Sequence, residues 1–494
     1  MPEGSSTATR HGSRTTGDPS AAPGPDEQVV VAILLRKAVD LSRLLTPAVA
    51  SQRPCRLDGV SSELRRAVRW LEERGFRVSG VGRRTISLRG PIKAFEEAFR
   101  TKVLPRVVAK PDRWSRRSLF AKGIDWRSHP ELEKVVESID IQRSTRYSAG
   151  QEPSAQPPAT SAAALDVSVD VPALVNGAGS RGPQHQGEGV AVAMVDTGFD
   201  VRHGFFRSNG FKPRVRLVPW ATNPRSDPIG HGTAMCANFF VVAPKAILLG
   251  VKVHNDDDPV LSGSTLEGIQ RALASRPRPR VISLSSGVDL RDDNGRPIAT
   301  VDGDLGILAE EIRANIDHPD SGKRIVFVCS AGNGELNFEA QIPEVISVGG
   351  AFSDRQGQHM SVSANSSSFT SAVFPPRFVP DVCGVLGLLP QQTSIMLPVP
   401  RGSEWDDDRA PADGTTKTDG WAVFGGTSAT TPQVAAVCAI LLEAFPDLSP
   451  AQVKAVICKT ARPVLKANGV IDPRGGGGVV DAGAALQEAA TLFP

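Results

Sequence analysis

GVAVAMVDTGFD, residues 189–200, decides the architecture. Residues 190–195 carry no polar side chain, so a strand built from them must be covered on both faces, as in a parallel sheet. Similar apolar runs recur as KAILLGVKV (245–253), VISLSSG (281–287), RIVFVCSAGN (324–333) and VISVGG (345–350), with helical stretches between them. The alternation predicts, from about residue 187 to 494, an α/β domain: a parallel sheet with helices on both faces. In such sheets functional groups gather beyond the carboxyl ends of the strands. Asp196, which closes the first run, stands there, although a turn-capping aspartate reads equally well.

Three further motifs fall at strand ends or helix starts. His231 lies 35 residues after Asp196 in GHGTAM, between two glycines and ahead of an apolar run. Alone it could be a structural residue; with Asp196 it could move a proton. Ser428, in FGGTSATTPQVAAVCAILLEAF (424–445), follows two glycines at the entrance of a long apolar helix, with Pro432 expected in its first turn. It is either a helix cap or a nucleophile that needs a nearby base. Asn333, in SAGNGE (330–335), offers an amide N–H suited to a developing oxyanion, or simply makes a turn.

The coincidence of DTG, HGT, AGN and GTSATTP in this order resembles the subtilases over about residues 187–494, including LSPAQVKAVICKTA (448–461) and GGGGVVDAGAAL (475–486). The resemblance implies a subtilisin-like fold and a serine endopeptidase. Ser428 would attack the scissile carbonyl and His231 would take and return the proton. Asp196 would orient the imidazole, and Asn333 with the Ser428 N–H would hold the oxyanion. It also makes Ser285, Ser286 and Gly287 of SLSSG candidates for pairing with an extended peptide, where a structural strand end is the other reading. Two departures stand out. Ala234 follows HGT where subtilases often have a second His, with Cys236 close behind, and GTSATTP replaces the usual Met and Ala after the Ser.

Upstream, EQVVVAILLR (27–36) reads as a strand. ELRRAVRWLEERG (63–75) reads as a helix with Leu64, Ala67, Val68 and Leu71 on one face, Ser61 or Ser62 as cap and Gly75 as its end. FRVSGVGRRTISLRG gives two strands about a Gly turn, and PIKAFEEAFRTKV a helix burying Ile92, Phe95 and Phe99. The predicted unit, residues 27–147, is a small α+β domain of ferredoxin-like type. It resembles the activation prodomain of the sedolisins, with HPELEKVVESIDI (129–141) similar to that family's closing helix. Sedolisins use Glu and Asp beside their Ser and an Asp at the oxyanion; His231 and Asn333 here point instead to subtilisin-like chemistry, active at neutral to alkaline pH. Residues 1–26 read as a disordered tail and 148–186 as a Pro/Ser/Ala-rich linker.

Charge separates the two parts. Residues 27–147 carry 26 basic and 14 acidic side chains, and residues 148–494 carry 28 and 36. Opposite fields favour docking of one part on the other, so the N-terminal domain is expected to inhibit the catalytic one until the linker is cut or an activating partner displaces it. The basic part lacks an aromatic stacking array, which argues against nucleic acid. No run is apolar enough for a signal peptide or a membrane span, and the six cysteines lack metal-ligand spacing, so a cytoplasmic protein with free thiols is expected. No cofactor is required; structural calcium at the DDD runs 256–258 and 406–408 is the lesser reading beside solvated acidic loops. A silent subtilase-fold scaffold is the competing function, distinguishable by an active-site probe.

Overall fold

The computed structural model describes residues 22–37, 39, 41, 60–105, 118–143, 165–175 and 185–493, apart from 259–260, 293, 302, 391 and 411–413. The tail reading for 1–21, Cys55, and the linker stretches 144–164 and 176–184 lie outside these residues.

The N-terminal part is built from β1 (Gln28–Leu35), α1 (Ser62–Glu72), β2 (Arg77–Val81), β3 (Thr85–Pro91), α2 (Ile92–Phe99) and β4 (Val136–Ile141). Its antiparallel sheet has the order β2-β3-β1-β4. The Ser61 side chain caps α1 by accepting from Leu64 N at 3.2 Å, and Leu64, Ala67, Val68 and Leu71 are buried. Ile92, Phe95 and Phe99 of α2 are also buried, with Pro91 as N-cap. The 129–141 segment departs from the closing-helix expectation: only Pro130–Glu133 is helical, and Val136–Ile141 becomes β4 beside β1. Val136, Ile139 and Ile141 gain a strand's place in the core, which outweighs a weak helix preference for β-branched residues.

A short helix, α3 (Asp170–Val175), corrects the linker boundaries. Leu165, Val167, Val171, Leu174 and Val175 are buried in the same core as the C-terminal helices, so residues 165–175 belong to the α/β domain. Their apolar side chains gain more from burial than a Pro/Ser-rich spacer could.

The α/β domain runs through β5 (Ala191–Asp196), α4 (His231–Phe240), β6 (Ile247–Lys252), α5 (Thr265–Leu273), β7 (Val281–Leu284), α6 (Gly303–Ile316), β8 (Val326–Ser330), β9 (Ile346–Ser353), β10 (Val382–Leu388), β11 (Thr393–Pro398), α7 (Glu404–Arg409), β12 (Trp421–Phe424) and α8 (Thr427–Ala444). Strands β6-β5-β7-β8-β9-β10 lie side by side and parallel, and β11 and β12 extend the sheet antiparallel. Val192 and Met194 enter one core, while Ala191, Ala193 and Val195 enter another on the opposite face. This two-sided burial is what the apolar run requires.

The same logic joins the two parts. Val29, Val31, Ile33 and Leu35 of β1 fill the N-terminal core, whereas Ala32 and Leu34 face the core beneath α5 and α6. Basic groups of the small sheet meet acidic groups of those helices. Arg89 forks onto Glu267 of α5 (Nε to Oε1 3.1 Å, Nη2 to Oε2 2.9 Å). Glu311 of α6 accepts from the backbone N–H groups of Arg83 and Arg84 and from the Thr85 hydroxyl, at 2.6, 2.9 and 2.9 Å. Arg143 bonds Asp304 at the head of α6 through its N–H and its Nε, at 2.8 and 2.9 Å. Among the described residues, no helix is long and apolar enough to cross a membrane.

Candidate active site

Asp196 ends β5 and His231 opens α4, and the two meet at 2.7 Å between Oδ1 and Nδ1, both fully buried. The Asp196 carboxylate is oriented by the Thr197 N–H, which donates to the same oxygen at 2.7 Å. The same oxygen thus meets both the Thr197 N–H and the imidazole. On the other side of His231, the Trp405 ring packs edge-on, with centroids 5.0 Å apart. Helix α7 holds that ring there because the N–H groups of Glu404 and Trp405 donate to the carbonyls of Pro228 and Ile229, just ahead of the histidine.

Ser428 is the second residue of α8 and is almost wholly buried. Helices α4 and α8 pack together, and the Asn238 amide of α4 donates to the Ala429 carbonyl of α8. Pro432 lies in the second turn of α8, one turn later than the sequence suggests. Lacking an N–H, it leaves the Ser428 carbonyl without its helical donor. The Ser285 hydroxyl takes that place, donating to the Ser428 carbonyl at 3.1 Å, while the Ser428 hydroxyl donates to the Ser285 carbonyl at 2.8 Å. A reciprocal pair therefore pins the head of α8 to the end of β7, and it turns Oγ toward the strand.

Asn333 follows β8. Its Oδ1 accepts from the Thr427 N–H at 2.7 Å and the Thr427 hydroxyl at 3.1 Å, which fixes the amide plane against the α8 N-terminus. Ser286 and Gly287 continue from Ser285 as a buried strand end. Asn337, which no sequence motif singles out, closes the space between the ends of β7 and β8. Its amide reaches within 2.7 Å of the position a Cβ on Gly287 would take, and its Nδ2 donates to the Ser330 carbonyl at 3.0 Å.

Cys236 lies on α4 with no exposed surface, and burial, reinforced by the Asp196 and Asp227 carboxylates, pushes its thiol well above the usual range. Its departure from the family pattern is a packing change rather than a reactive thiol. The acidic runs are engaged by protein groups: Asp256 pairs with Lys252 at 2.5 Å, and Asp406 accepts from the Gly402 and Gly420 N–H groups at 2.7 and 3.1 Å. Among the described residues, no group of three or more His, Cys, Asp and Glu side chains is arranged to hold a metal ion.

The chain is similar to several known proteins. The chain is 28% identical to mycosin-1 of Mycobacterium tuberculosis over 61% of its length and 69% of that protein. It is 25% identical to subtilisin E of Bacillus subtilis over 56% of its length, spanning 61% of that relative. Among solved structures it is similar in fold to fervidolysin from Fervidobacterium pennivorans, a keratinolytic enzyme related to subtilisin. The TM-score is 0.55 at 17% identity, with 93% of this chain and 61% of that one covered. The sequence profile of the Subtilase family (Peptidase_S8) matches residues 187–482, and the chain belongs to that family of serine endopeptidases.

Proposed function

We propose that the chain hydrolyses peptide bonds with Ser428 as nucleophile, His231 as general base and then acid, and Asp196 as the group that orients the imidazole. The observation that carries this reading is the 2.7 Å Asp196–His231 contact, buried on a helix that packs against the helix bearing Ser428. A buried carboxylate on Nδ1 fixes the tautomer and stabilises the imidazolium formed when Ser428 gives up its proton. Rotation about the serine Cα–Cβ bond carries Oγ from the Ser285 carbonyl toward the imidazole. Asn333 Nδ2 and the Ser428 N–H then serve the oxyanion, helped by the positive end of α8. An extended substrate pairs along Ser285, Ser286 and Gly287. The scheme needs no cofactor, and activity falls in acid, where a protonated imidazole cannot accept.

Residues 27–147 act as an intramolecular inhibitor, held on α5 and α6 by the basic-to-acidic contacts of Arg84, Arg89 and Arg143. Processing of the connecting segment, or an activating partner, relieves it. Labelling by a fluorophosphonate tests the chemistry: the wild type is expected to be labelled, and Ser428→Ala and His231→Ala are expected not to be. A wild type that stays unlabelled even after its N-terminal part is removed would leave a binding scaffold as the function.

A further inference from the structure

Four residues ahead of His231, Asp227 is buried with all of its acceptor capacity directed at the two segments that carry the Asp196–His231 pair. Its Oδ1 accepts from the Thr197 hydroxyl at 2.8 Å and from the Gly230 N–H at 3.0 Å. Its Oδ2 accepts from the N–H and the hydroxyl of Thr233, both at 2.8 Å. Thr197 follows Asp196, while Gly230 and Thr233 bracket His231. One carboxylate thus ties the strand end to the first turn of α4.

We propose that Asp227 is a positioning residue for proton transfer: it sets the Asp196–His231 geometry by clamping Thr197 to the first turn of α4.

The surrounding chemistry supports a dedicated role. Burying a carboxylate is costly, and burial does raise the pKa of Asp227 against the lowering effect of its four donors. Among the described residues no cation bonds it directly: the nearby Lys252 ammonium is held by the Asp256 carboxylate and by the carbonyls of Asn223 and Ser226. Asp200 is turned toward Arg202, and its N–H donates to the Thr233 hydroxyl, so the threonine relays the clamp to the loop beyond Gly198. The Thr197 hydroxyl also receives the Gly232 N–H at 3.0 Å, which adds a second tie across the same gap. Close approach is built in, since a Cβ at Gly198 would lie 2.4 Å from the Ser226 carbonyl oxygen and 2.9 Å from the Asp227 Cα. A residue needed only to cap α4 would have no reason to engage Thr197.

The inference rests on the catalytic reading above, and the test separates the two. Asp227→Asn keeps one acceptor but sets an NH2 against donors and removes the buried charge. Peptide hydrolysis is measured on the enzyme in the form in which the wild type is active, normalised to fluorophosphonate titre. The expected result is a kcat lower by about 10- to 100-fold, the worth of one or two bonds to a charged group. KM should change less than about twofold, since no substrate contact is lost. The acid limb of kcat/KM should move to lower pH, because a negative charge that favoured the imidazolium is gone. Thr197→Val, which keeps the charge and breaks the bridge, is expected to lower kcat by about tenfold without moving the limb. An unlabelled wild type would defeat the catalytic reading itself. A labelled wild type, with kcat and acid limb unchanged in Asp227→Asn, would overturn the clamp. Should that variant fail to fold, an unchanged kcat in Thr197→Val would overturn it equally.

Discussion

Replacing Arg89 by Met puts the docking of the N-terminal part to a quantitative test. Arg89 is 2% exposed and Glu267 is fully buried, and they form a two-pronged ion pair; Arg89 also donates to the carbonyls of Leu261 and Ser262, at 2.8 and 3.3 Å. Methionine fills much of the volume but leaves the Glu267 carboxylate buried against an apolar group, with the Ser264 N–H at 3.1 Å as a remaining donor. Breaking a buried pair by removing one partner costs about 3–5 kcal/mol, mostly the penalty of the stranded charge. Undocking returns Glu267 to water and relieves that penalty, so the docking equilibrium should shift by about 100- to 4,000-fold. Hydrogen exchange on the full-length Ser428→Ala chain reads the shift directly: amides of β3, α5 and α6 should lose protection in Arg89→Met and regain part of it in Arg89→Met/Glu267→Gln, where no charge is stranded. In the active background, the single variant should react with a fluorophosphonate faster than the unprocessed wild type. Unchanged exchange in α5 and α6 would refute the energetic reasoning. Changed exchange with unchanged labelling would refute the inhibitory role while leaving the interface intact.

Two further outcomes follow from the geometry. Burial at the interface, with the Asp304 carboxylate beside it, raises Asp140 from 3.8 to about 6, against the opposing pull of Arg143. The docked form therefore binds a proton more tightly than the free form, so docking should weaken as pH rises from about 4 to about 6 and level off above, by up to about 3 kcal/mol; Asp140→Asn should flatten that dependence in the same exchange measurement, and an undiminished slope would exclude Asp140 as its source. Asn337→Gly should clear the space between Gly287 and Ser330 and raise cleavage after bulky residues by about tenfold relative to small ones in a peptide library, as one to two methylene equivalents of pocket would allow; an unaltered profile would remove Asn337 from the substrate cleft.

Much of this protein is determined locally. The unbroken apolar run 190–195 demands cover on both faces whatever the rest of the chain does, and α1 begins where capping chemistry and apolar spacing place it. Asp196, His231, Asn333 and Ser428 stand out because polar groups directly after apolar strands or before apolar helices are few. Other features are decided only when distant segments meet. The run in β1 requires a cover for Ala32 and Leu34, but nothing local says that α5 and α6 supply it. The segment 165–175 reads as spacer because it adjoins a Pro/Ser/Ala-rich stretch, and its apolar residues find their place, with Asp170–Val175 helical, because the α/β core accepts them. Pro432 reads as a helix-start residue, yet its missing N–H matters only because the Ser285 hydroxyl lies opposite the freed carbonyl. Asp227 has no pattern at all in one dimension. Its four donors come from three residues on two segments of the chain, and a carboxylate's purpose depends on which donors surround it once water has been excluded.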